Sequence, residues 1–459
     1  MSEALRFDRG LVQRYDGPGP RYTSYPPAPM FQDSFGPAEH AGLLAASARE
    51  GKPLSIYVHI PFCATRCLFC GCNVVISRDR GWGGRYLPLL EREMELAAGP
   101  LDAGHREVAQ IHWGGGTPTF LPPRDLIELM AAIRRHFKLA ADCEISVEVD
   151  PREASPEHLD VLAAAGVGRL SLGVQDLDPT VQQAVRRIQS VELIRSVISG
   201  ARERGIRGIN VDLIYGLPHQ TVPGFLATVR EVLSLAPDRL AVFNLAYLPS
   251  RFRHQTAIDP AALPGPEEKL SLLEEAVREI AAAGYVFIGM DHFARPDDPL
   301  ALALRDGTLT RNFQGYSTHG GTDLVGFGVS SISAVGGGYA QNLRTLPEYR
   351  AAIESGILAT DRGLALTAED HLRRDVILDL MCHFTLDKGE IERRHGIDFD
   401  RHFAAELQRL EPLAGDGLVE MGRDRLEVTP RGRFVVRNLA MSFDAYLGPR
   451  TANLYSRTV

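Results

Sequence analysis

Four cysteines fall within ten residues, in the segment HIPFCATRCLFCGCN. They are Cys63, Cys67, Cys70 and Cys72, with the spacing C-x3-C-x2-C-x-C. Structural zinc sites usually pair two C-x2-C knuckles across a longer loop, and the second pair is absent here. The common ferredoxin spacings differ as well. Three closely spaced thiolates on one loop can instead hold three irons of a [4Fe–4S] cubane, which leaves the fourth iron open.

An open iron beside a reducing cluster suggests radical chemistry. The amine and carboxylate of S-adenosylmethionine can chelate that iron, and one electron then breaks a C–S bond to release a 5′-deoxyadenosyl radical. The protein's part is to place the groups and to exclude oxygen and water. We therefore predict that Cys63, Cys67 and Cys70 are cluster ligands. Zinc or a plain electron-transfer cluster is the alternative. Cys72 is not predicted to be a ligand, and a small buried thiol is the simpler interpretation of it.

Polar and glycine-rich motifs follow several of the predicted strands. WGGGTPTF (113–120) offers Gly115, Gly116 and Thr117, and it lacks the lysine of a phosphate-binding loop. Glu148 and Asp150 share one face of the next strand end, where a solvated strand end is the alternative. Further polar residues of the same kind are Gln175, Arg187 and Asp212. His292 has acidic neighbours, but a structural hydrogen-bonded histidine is the favoured interpretation.

The elements that must position these residues alternate between strands and helices. The predicted strands are 55–60, 108–113, 144–150, 169–175, 209–216 and 239–245, and a further strand is expected at 285–290. Helical stretches such as 86–98, 124–137 and 223–236 lie between them. This order predicts an α/β fold with parallel strands, a partial (β/α)6 TIM-like barrel whose site lies at the carboxyl ends of the strands.

The remaining segments suggest four regions. Residues 1–50 are rich in Pro and Gly and are predicted to form an extended arm. Residues 51–300 form the barrel, and 301–360 extend it and cover the site. Residues 361–459 are predicted to form a mostly helical, winged-helix-like domain, starting with a helix that Thr367 caps. A DNA-binding module is the alternative for that domain, but its mixed charge favours a packing or lid role.

The composition favours some classes of partner and compartment over others. The net charge of −8 argues against a nucleic-acid partner. Of the 50 basic residues 46 are Arg, which fits either carboxylate recognition or a coding bias. The amino terminus lacks an apolar signal region, and no apolar run is long enough to span a membrane. The clustered cysteines suggest a reducing compartment, and we expect the cytoplasm.

Taken together, these motifs resemble the oxygen-independent coproporphyrinogen III oxidase family of the radical S-adenosylmethionine superfamily. The resemblance runs over nearly the whole chain. Its motifs are GPRYTSYP (19–26), YVHIPFC with the cysteines that follow (57–72), HWGGGTPT (112–119), SVEVDPRE (146–153), LSLGVQD (170–176), NVDLIYGLP (210–218), GMDHFARPDD (289–298), RNFQGYST (311–318) and FDAYL (443–447). Related haem chaperones typically lack the fourth cysteine and the NFQGY motif, so both features favour the oxidase.

The resemblance implies a reaction and a set of contacts. Two propionates of coproporphyrinogen III would be oxidatively decarboxylated to vinyls, giving protoporphyrinogen IX in haem biosynthesis. Two S-adenosylmethionine molecules, an electron donor and a final electron acceptor are implied, and a monomer is expected. The cluster-bound molecule would contact Tyr57, Gly115, Glu148 and Ile332. The second would contact Phe69, Gly116, Thr117, Gln175, Arg187, Asp212 and Ala246. Tyr57 and Cys72 are the candidate catalytic residues.

Some positions depart from the family pattern or remain open. His319-Gly320-Gly321 replaces a polar or acidic residue before Thr322, and Arg186 replaces a usual Asn. The four propionates of the substrate need cationic partners, for which we consider Arg21 and Arg295, with structural ion pairing as the alternative. A haem-binding chaperone and another tetrapyrrole-modifying radical enzyme are the alternative functions.

Overall fold

A twelve-stranded sheet forms the centre of the computed structural model, which describes residues 5, 7–448, 455 and 457. The outermost residues of the predicted arm and of the predicted C-terminal domain lie outside the described residues. The strands are β1 (Leu54–Ile60), β2 (Glu107–Gly115), β3 (Lys138–Val149), β4 (Arg169–Gln175), β5 (Gly208–Tyr215), β6 (Arg239–Asn244), β7 (Val286–Gly289), β8 (His292–Ala294), β9 (Asp323–Phe327), β10 (Ile332–Val335), β11 (Gly338–Asn342) and β12 (Thr360–Ala365).

Sixteen α-helices are present in the described part of the chain. They are α1 (Arg9–Tyr15), α2 (Pro37–Glu50), α3 (Trp82–Ala98), α4 (Pro123–His136), α5 (Pro156–Ala165), α6 (Pro179–Ala184), α7 (Val191–Glu203), α8 (Val222–Ser234), α9 (Pro266–Ala282), α10 (Pro299–Arg305), α11 (Leu346–Glu354), α12 (Ala368–His383), α13 (Lys388–His395), α14 (Phe399–His402), α15 (Ala404–Gly415) and α16 (Val436–Met441).

Strands β1 to β6 are parallel and adjacent in chain order, and at least one helix follows each of them. The predicted α/β fold with six β/α units is therefore confirmed. Both faces of these strands are covered, as the almost continuous burial of β1 shows. Because parallel strands end at the same side of a sheet, the residues that follow β1 to β6 converge there.

The sheet continues beyond the six units on both sides. Strand β9 lies parallel to β1, with Leu54 opposite Asp323, and β10, β11 and β12 extend it antiparallel. At the other edge, β8 lies antiparallel to β6 and β7 antiparallel to β8. The expected strand at 285–290 therefore forms, but it does not continue the parallel series. Only a two-residue turn joins β7 to β8, and a parallel connection needs a longer crossover.

The amino-terminal segment is only partly the extended arm that we predicted. Residues 37–50 form the helix α2, and a shorter helix α1 precedes the extended stretch. Helix α2 starts with a proline at its first position, and the Glu39 side chain accepts from the Gly36 N–H. His40, Leu43, Leu44 and Ser47 form its buried face at helical spacing. The prediction missed this face because two of its four residues are polar.

The C-terminal region has the predicted order of helix, hairpin and helix. Thr367 caps α12 with Asp370 as its reciprocal partner. Strands Val419–Met421 and Arg425–Val428 form the hairpin between α15 and α16, and Thr385–Asp387 adds a third strand to it. Among the described residues, no helix combines the length and the apolar character that a bilayer crossing requires.

Candidate active site

The four clustered cysteines lie on the loop that follows β1. Cys63 ends a short strand, Phe62–Cys63, which pairs with Val75–Ile76 and closes the loop at its base. The Cys63 thiol lies 3.5 Å from the Thr117 hydroxyl, and the Cys72 N–H donates to the Cys70 sulfur at 3.4 Å. Burial raises the pKa of Cys63 to about 12, so metal binding at this thiol has to displace its proton. Cys72 itself is exposed.

A short helical segment, Arg253–Ala257, covers one side of this loop. His254 hydrogen-bonds the Cys70 carbonyl at 2.7 Å. The fully buried Gln255 amide donates to the carbonyls of Phe69 and Ala246, at 3.2 and 3.0 Å. Gln255 therefore ties the cysteine loop to the segment after β6. Our sequence analysis missed both residues, since a single His and Gln in a loop carry no pattern.

Two arginines lie beside the Cys67 sulfur. Arg152 and Arg187 place guanidinium nitrogens 3.6 and 3.7 Å from it, and both also bind the Asp150 carboxylate, at 2.7 and 2.6 Å. Although burial raises the pKa of Asp150, the charge of Arg187 and the hydrogen bonds of Arg152 lower it below its ordinary value. The buried carboxylate thus holds two cations against the loop, where thiolate charge would need compensation. Arg152 was not predicted.

These residues fit an iron–sulfur cluster, although they do not form a single-ion site. Among the described residues, no three His, Cys, Asp or Glu side chains surround one point as the ligands of one metal ion do. A cubane makes no such demand, because each thiolate binds a different iron. Three thiols on one closed loop, with two guanidinium groups at Cys67, match that donor set. Cys63, Cys67 and Cys70 could therefore hold the cluster.

The glycine run Gly114–Gly116 at the end of β2 packs too closely on its neighbours for any side chain. A Cβ at Gly116 would lie 2.8 Å from the Phe62 carbonyl oxygen, and one at Gly114 would lie 2.8 Å from the Glu148 carboxylate. Gly115 has a φ of +107° and donates its N–H to Glu148 at 3.1 Å. Glycine at these positions lets the backbone approach both the cysteine loop and the acid of β3.

A cavity of about 250 Å³ brings together three of the four residues that the resemblance assigns to the cluster-bound S-adenosylmethionine. Tyr57, Glu148 and Ile332 line it, as do Phe313 and Gln314 of the NFQGY motif. The fourth, Gly115, contacts Glu148 directly. Strands β1 and β3 and the start of β10 supply these residues, so the added antiparallel strands complete the site.

Two histidines that the sequence analysis did not select support this cavity. The Tyr57 hydroxyl lies 3.1 Å from His59, and its ring stacks on His112. His112 hydrogen-bonds Glu148 at 3.3 Å and Ser146 at 2.7 Å. Burial raises the pKa of Glu148. The hydrogen bond and charge of His112, together with the Gly115 N–H, outweigh this effect and hold the pKa below its usual value. Glu148 is therefore held as a carboxylate.

The second predicted group occupies the neighbouring strand ends. Gln175 and Arg187 meet over Gly173, where a Cβ would lie 2.8 and 2.9 Å from their nitrogens. Gln175 has a positive φ of +68° at the end of β4, and its amide oxygen is buried without a hydrogen-bond partner. Phe69 packs on the apolar cluster that includes Leu245, and Gln255 links it to Ala246.

Asp212 completes this group from β5. It accepts hydrogen bonds from Ser171 at 3.1 Å and from Asn210 at 2.9 Å. Burial, with the nearby charge of Glu148, raises the pKa of Asp212 to about 6. The two carboxylates therefore face each other across the strand ends, and a bound cation between them would relieve their repulsion.

The two arginines considered for the propionates have different positions. Arg21 forms an ion pair with Asp291 and lies over the Phe243 ring, near the carboxyl end of β6. Arg295 follows β8, which runs antiparallel to β6, so the Arg295 N–H donates to the Asp238 carbonyl at the amino end of β6. Arg295 is therefore at the end of the barrel away from the site, and considering it as a propionate partner was wrong. His292 is half-buried beside Phe243 and Tyr316.

The fold and these residues define a radical S-adenosylmethionine protein. Residues 57–232 match the Radical SAM superfamily, and residues 366–435 match the HemN C-terminal domain. The superfamily implies a [4Fe–4S] cluster and S-adenosylmethionine as cofactors.

Similar proteins identify the family within this superfamily. An oxygen-independent coproporphyrinogen III oxidase of Pseudomonas aeruginosa is 48% identical over the full length of both chains. One from Escherichia coli K12 is 49% identical over 97% of this chain and 96% of that protein. The solved structure of the Escherichia coli coproporphyrinogen III oxidase, a radical SAM enzyme, matches with a TM-score of 0.92 and 47% identity. It covers 97% of this chain and all of that one. The chain belongs to the oxygen-independent coproporphyrinogen III oxidase family, as its motifs predicted.

Proposed function

We propose that this chain oxidises coproporphyrinogen III to protoporphyrinogen IX without oxygen, as the names of its relatives suggest. Two propionates would become vinyls, each losing one β-hydrogen and carbon dioxide and passing one electron to an acceptor. The observation that carries the proposal is the cavity in which Tyr57 and Glu148 lie beside Phe313 and Gln314. Tyr57 lies on β1, the strand that leads into the cysteine loop. When bound, the cluster and S-adenosylmethionine supply the 5′-deoxyadenosyl radical.

The chain's own residues would hold and orient these groups. Cys63, Cys67 and Cys70 bind the cluster. Glu148 is ionised and can accept a hydrogen bond from an amine or a ribose hydroxyl, and the Gly115 backbone lies directly against it. Tyr57 and Ile332 form the walls of the same cavity and exclude water from it.

A second S-adenosylmethionine would lie against the neighbouring strand ends. Its site residues are Phe69, Gly116, Thr117, Gln175, Arg187, Asp212 and Ala246. Two features support it: the buried amide oxygen of Gln175 lacks a partner, and Asp212 and Glu148 provide two facing acids that suit a cationic sulfonium ligand. We propose two molecules per product, one for each propionate.

Other assignments rest on the same resemblance. Cys72 is exposed beside the cluster loop, where it can serve the reaction without binding iron. We propose a monomer in a reducing compartment, the cytoplasm, with an electron donor for the cluster and a final electron acceptor. We also propose the division into an arm (1–50), a barrel (51–300), a covering segment (301–360) and a C-terminal domain (361–459).

The test is an anaerobic assay of the cluster-reconstituted protein with coproporphyrinogen III, S-adenosylmethionine and a photoreduced deazaflavin. We expect protoporphyrinogen and 5′-deoxyadenosine in a ratio of one to two. The Glu148→Gln variant keeps the side-chain shape and should lose activity, while Glu144→Gln, four residues earlier on the same face of β3, should not. Haemin binding without turnover would indicate a haem chaperone, and a methylated tetrapyrrole would indicate a methyltransferase.

A further inference from the structure

A groove of about 930 Å³ lies on the outer side of the cysteine loop. Ala64 and Thr65, which stand between Cys63 and Cys67, form part of its wall. The base of the loop at Ile76–Arg78 and the segment Gln183–Ile188 form the opposite walls. The groove therefore touches the loop that carries the cluster ligands, where this loop meets the segments that follow β3 and β4.

The groove is strongly cationic. Four arginines line it, Arg66, Arg78, Arg152 and Arg186, and no acidic residue does. Arg152 is committed to Asp150, but Arg66, Arg78 and Arg186 form no ion pair within the described residues. This positive charge contrasts with the net charge of −8 of the whole chain. The groove can therefore attract an acidic surface electrostatically.

The same groove exposes large apolar side chains. Ile188 is 65% exposed and Ile76 is 38% exposed, and both are among the five most exposed large hydrophobic residues in the described part of the chain. Apolar side chains together with arginine match the composition of protein interfaces, whose core is apolar and enriched in arginine.

Arg186 adopts a backbone conformation that arginine seldom adopts. Its φ is +57°, in the left-handed region that costs a residue with a Cβ about 1 kcal/mol or more. Strained residues cluster at active sites and ligand-binding loops, and Arg186 lies beside the loop of the cluster ligands.

The segment Arg253–Ala257 covers one side of the cysteine loop through His254 and Gln255. The groove borders the same loop at Ala64 and Thr65, directly after Cys63. An electron carrier too large to enter the barrel can therefore approach the cluster ligands at the groove.

We propose that this groove docks an acidic protein that carries one electron. The reduced carrier gives up one electron and becomes oxidised by one, and the cluster held by Cys63, Cys67 and Cys70 gains it. Arg78 and Arg186 attract and orient the carrier, and Ile76 and Ile188 form the apolar centre of the contact. This inference deepens the proposed function and rests on its cluster.

The experiment measures binding separately from turnover. The probe is a flavodoxin of net negative charge, titrated as the hydroquinone into the full-length reconstituted enzyme at low and at physiological salt. The test variant is Arg78→Glu/Arg186→Glu. Its matched control is Arg207→Glu/Arg423→Glu, which makes the same charge change at two exposed arginines away from the loop. A second pair is Ile188→Ser, with Ile127→Ser as its control.

We expect both test variants to weaken flavodoxin binding at least about tenfold and the controls to bind like the wild type. Only Arg78→Glu/Arg186→Glu should also reduce the salt dependence of binding, because it alone changes the charge of the groove. Cleavage of S-adenosylmethionine driven by photoreduced deazaflavin should be unchanged in all of them. The proposal is wrong if flavodoxin does not bind the wild type, or if the test and control variants weaken binding equally. If the wild type does not cleave S-adenosylmethionine with photoreduced deazaflavin, the proposed function is wrong. The binding measurements would still show whether the carrier docks at the groove.

Discussion

Cys67 differs from the other three clustered cysteines in what surrounds it. Its sulfur lies against the guanidinium groups of Arg152 and Arg187, and the residue is almost fully buried. Cys72, five residues further on, is exposed. This contrast agrees with the proposal that Cys67 binds the cluster and that Cys72 does not.

We therefore predict opposite results for two matched substitutions. Cys67→Ser should lose most of its iron and its [4Fe–4S] absorption after anaerobic reconstitution, because a hydroxyl is a poor ligand for iron in such a cluster. Cys72→Ser should keep the full iron content but lose protoporphyrinogen formation. Iron and sulfide analysis together with the product assay measure both. Full iron in the Cys67 variant would contradict the ligand assignment.

Arg186 makes a prediction about stability that is independent of any cofactor. Because asparagine tolerates the left-handed conformation better than arginine does, Arg186→Asn should raise the free energy of unfolding by about 1 kcal/mol. Urea denaturation of the cofactor-free protein measures it. Arg207→Asn, at an exposed arginine without a positive φ, is the control and should not stabilise. If both variants behave alike, the backbone at Arg186 is not strained.

At the scale of elements, one buried acid joins three parts of the barrel wall. Glu93 of α3 accepts hydrogen bonds from the Gly328 N–H after β9 at 2.7 Å and from the Tyr349 hydroxyl of α11 at 2.6 Å, and also from Asn342 of β11. Burial raises the pKa of Glu93 to about 7 despite these hydrogen bonds. Glu93 thus connects α3 to the added strands, and its ionised form destabilises the fold because the charge is buried.

This pKa predicts a pH-dependent stability difference. Below pH 4.5 Glu93 is protonated in both the folded and the unfolded chain and makes no difference. As the pH rises from about 4.5 to about 7, only the unfolded chain releases the proton, so the wild type loses stability. Relative to the wild type, Glu93→Gln should gain about 3 kcal/mol between pH 4.5 and pH 8. Denaturation at several pH values checks this, and the exposed Glu95→Gln on the same helix should show no such gain.

The elements also show what a sequence can and cannot predict. Strands β1 to β6 carried a clear signal, because both faces of a parallel strand are buried and its residues are apolar and β-branched. The pairing of β9 beside β1 was not predictable, because the paired residues Leu54 and Asp323 are 269 residues apart in sequence and no local pattern encodes the contact between them. The helix α2 was missed because His40 and Ser47 lie on its buried face.

The residues of the candidate site also differ in how far the sequence predicts them. The cysteines, the glycine run and the strand-end acids could be predicted, because spacing and position at a strand end are local properties. His112, Arg152 and Gln255 could not, because each acts through a partner that is distant in sequence, namely Glu148, Cys67 and Phe69. Arg21 and Arg295 looked equivalent in the sequence, and only the antiparallel direction of β8 separates them.

At the scale of the whole molecule, the amino-terminal segment is fastened to the C-terminal region. The Tyr22 hydroxyl donates to Asp444 at 2.9 Å, and Arg437 of α16 donates to the carbonyls of Gly19 and Pro20. These contacts lie on both sides of Arg21 and hold it beside Asp291. The C-terminal region therefore contributes to the site indirectly, by fixing the position of a cation at the barrel end that carries the site.

Arg21 should consequently contribute to substrate binding and Arg295 should not. We expect Arg21→Gln to raise the KM for coproporphyrinogen III about tenfold with little change in kcat, since a charge-assisted hydrogen bond to a propionate is lost. Arg295→Gln, at the opposite end of the barrel, should leave both constants unchanged. Steady-state kinetics under anaerobic conditions measure the two constants separately.

The ion pair of Arg21 with Asp291 complicates a single substitution of Arg21, because the substitution leaves a half-buried carboxylate unpaired. The double variant Arg21→Gln/Asp291→Asn removes both charges and should restore stability without restoring the KM. Asp291→Asn alone keeps the cation and should leave the KM near the wild-type value or lower it, because Arg21 is then free to pair with a propionate. If the double variant recovers the wild-type KM, Arg21 acts only through the fold, and the propionates are bound by other residues.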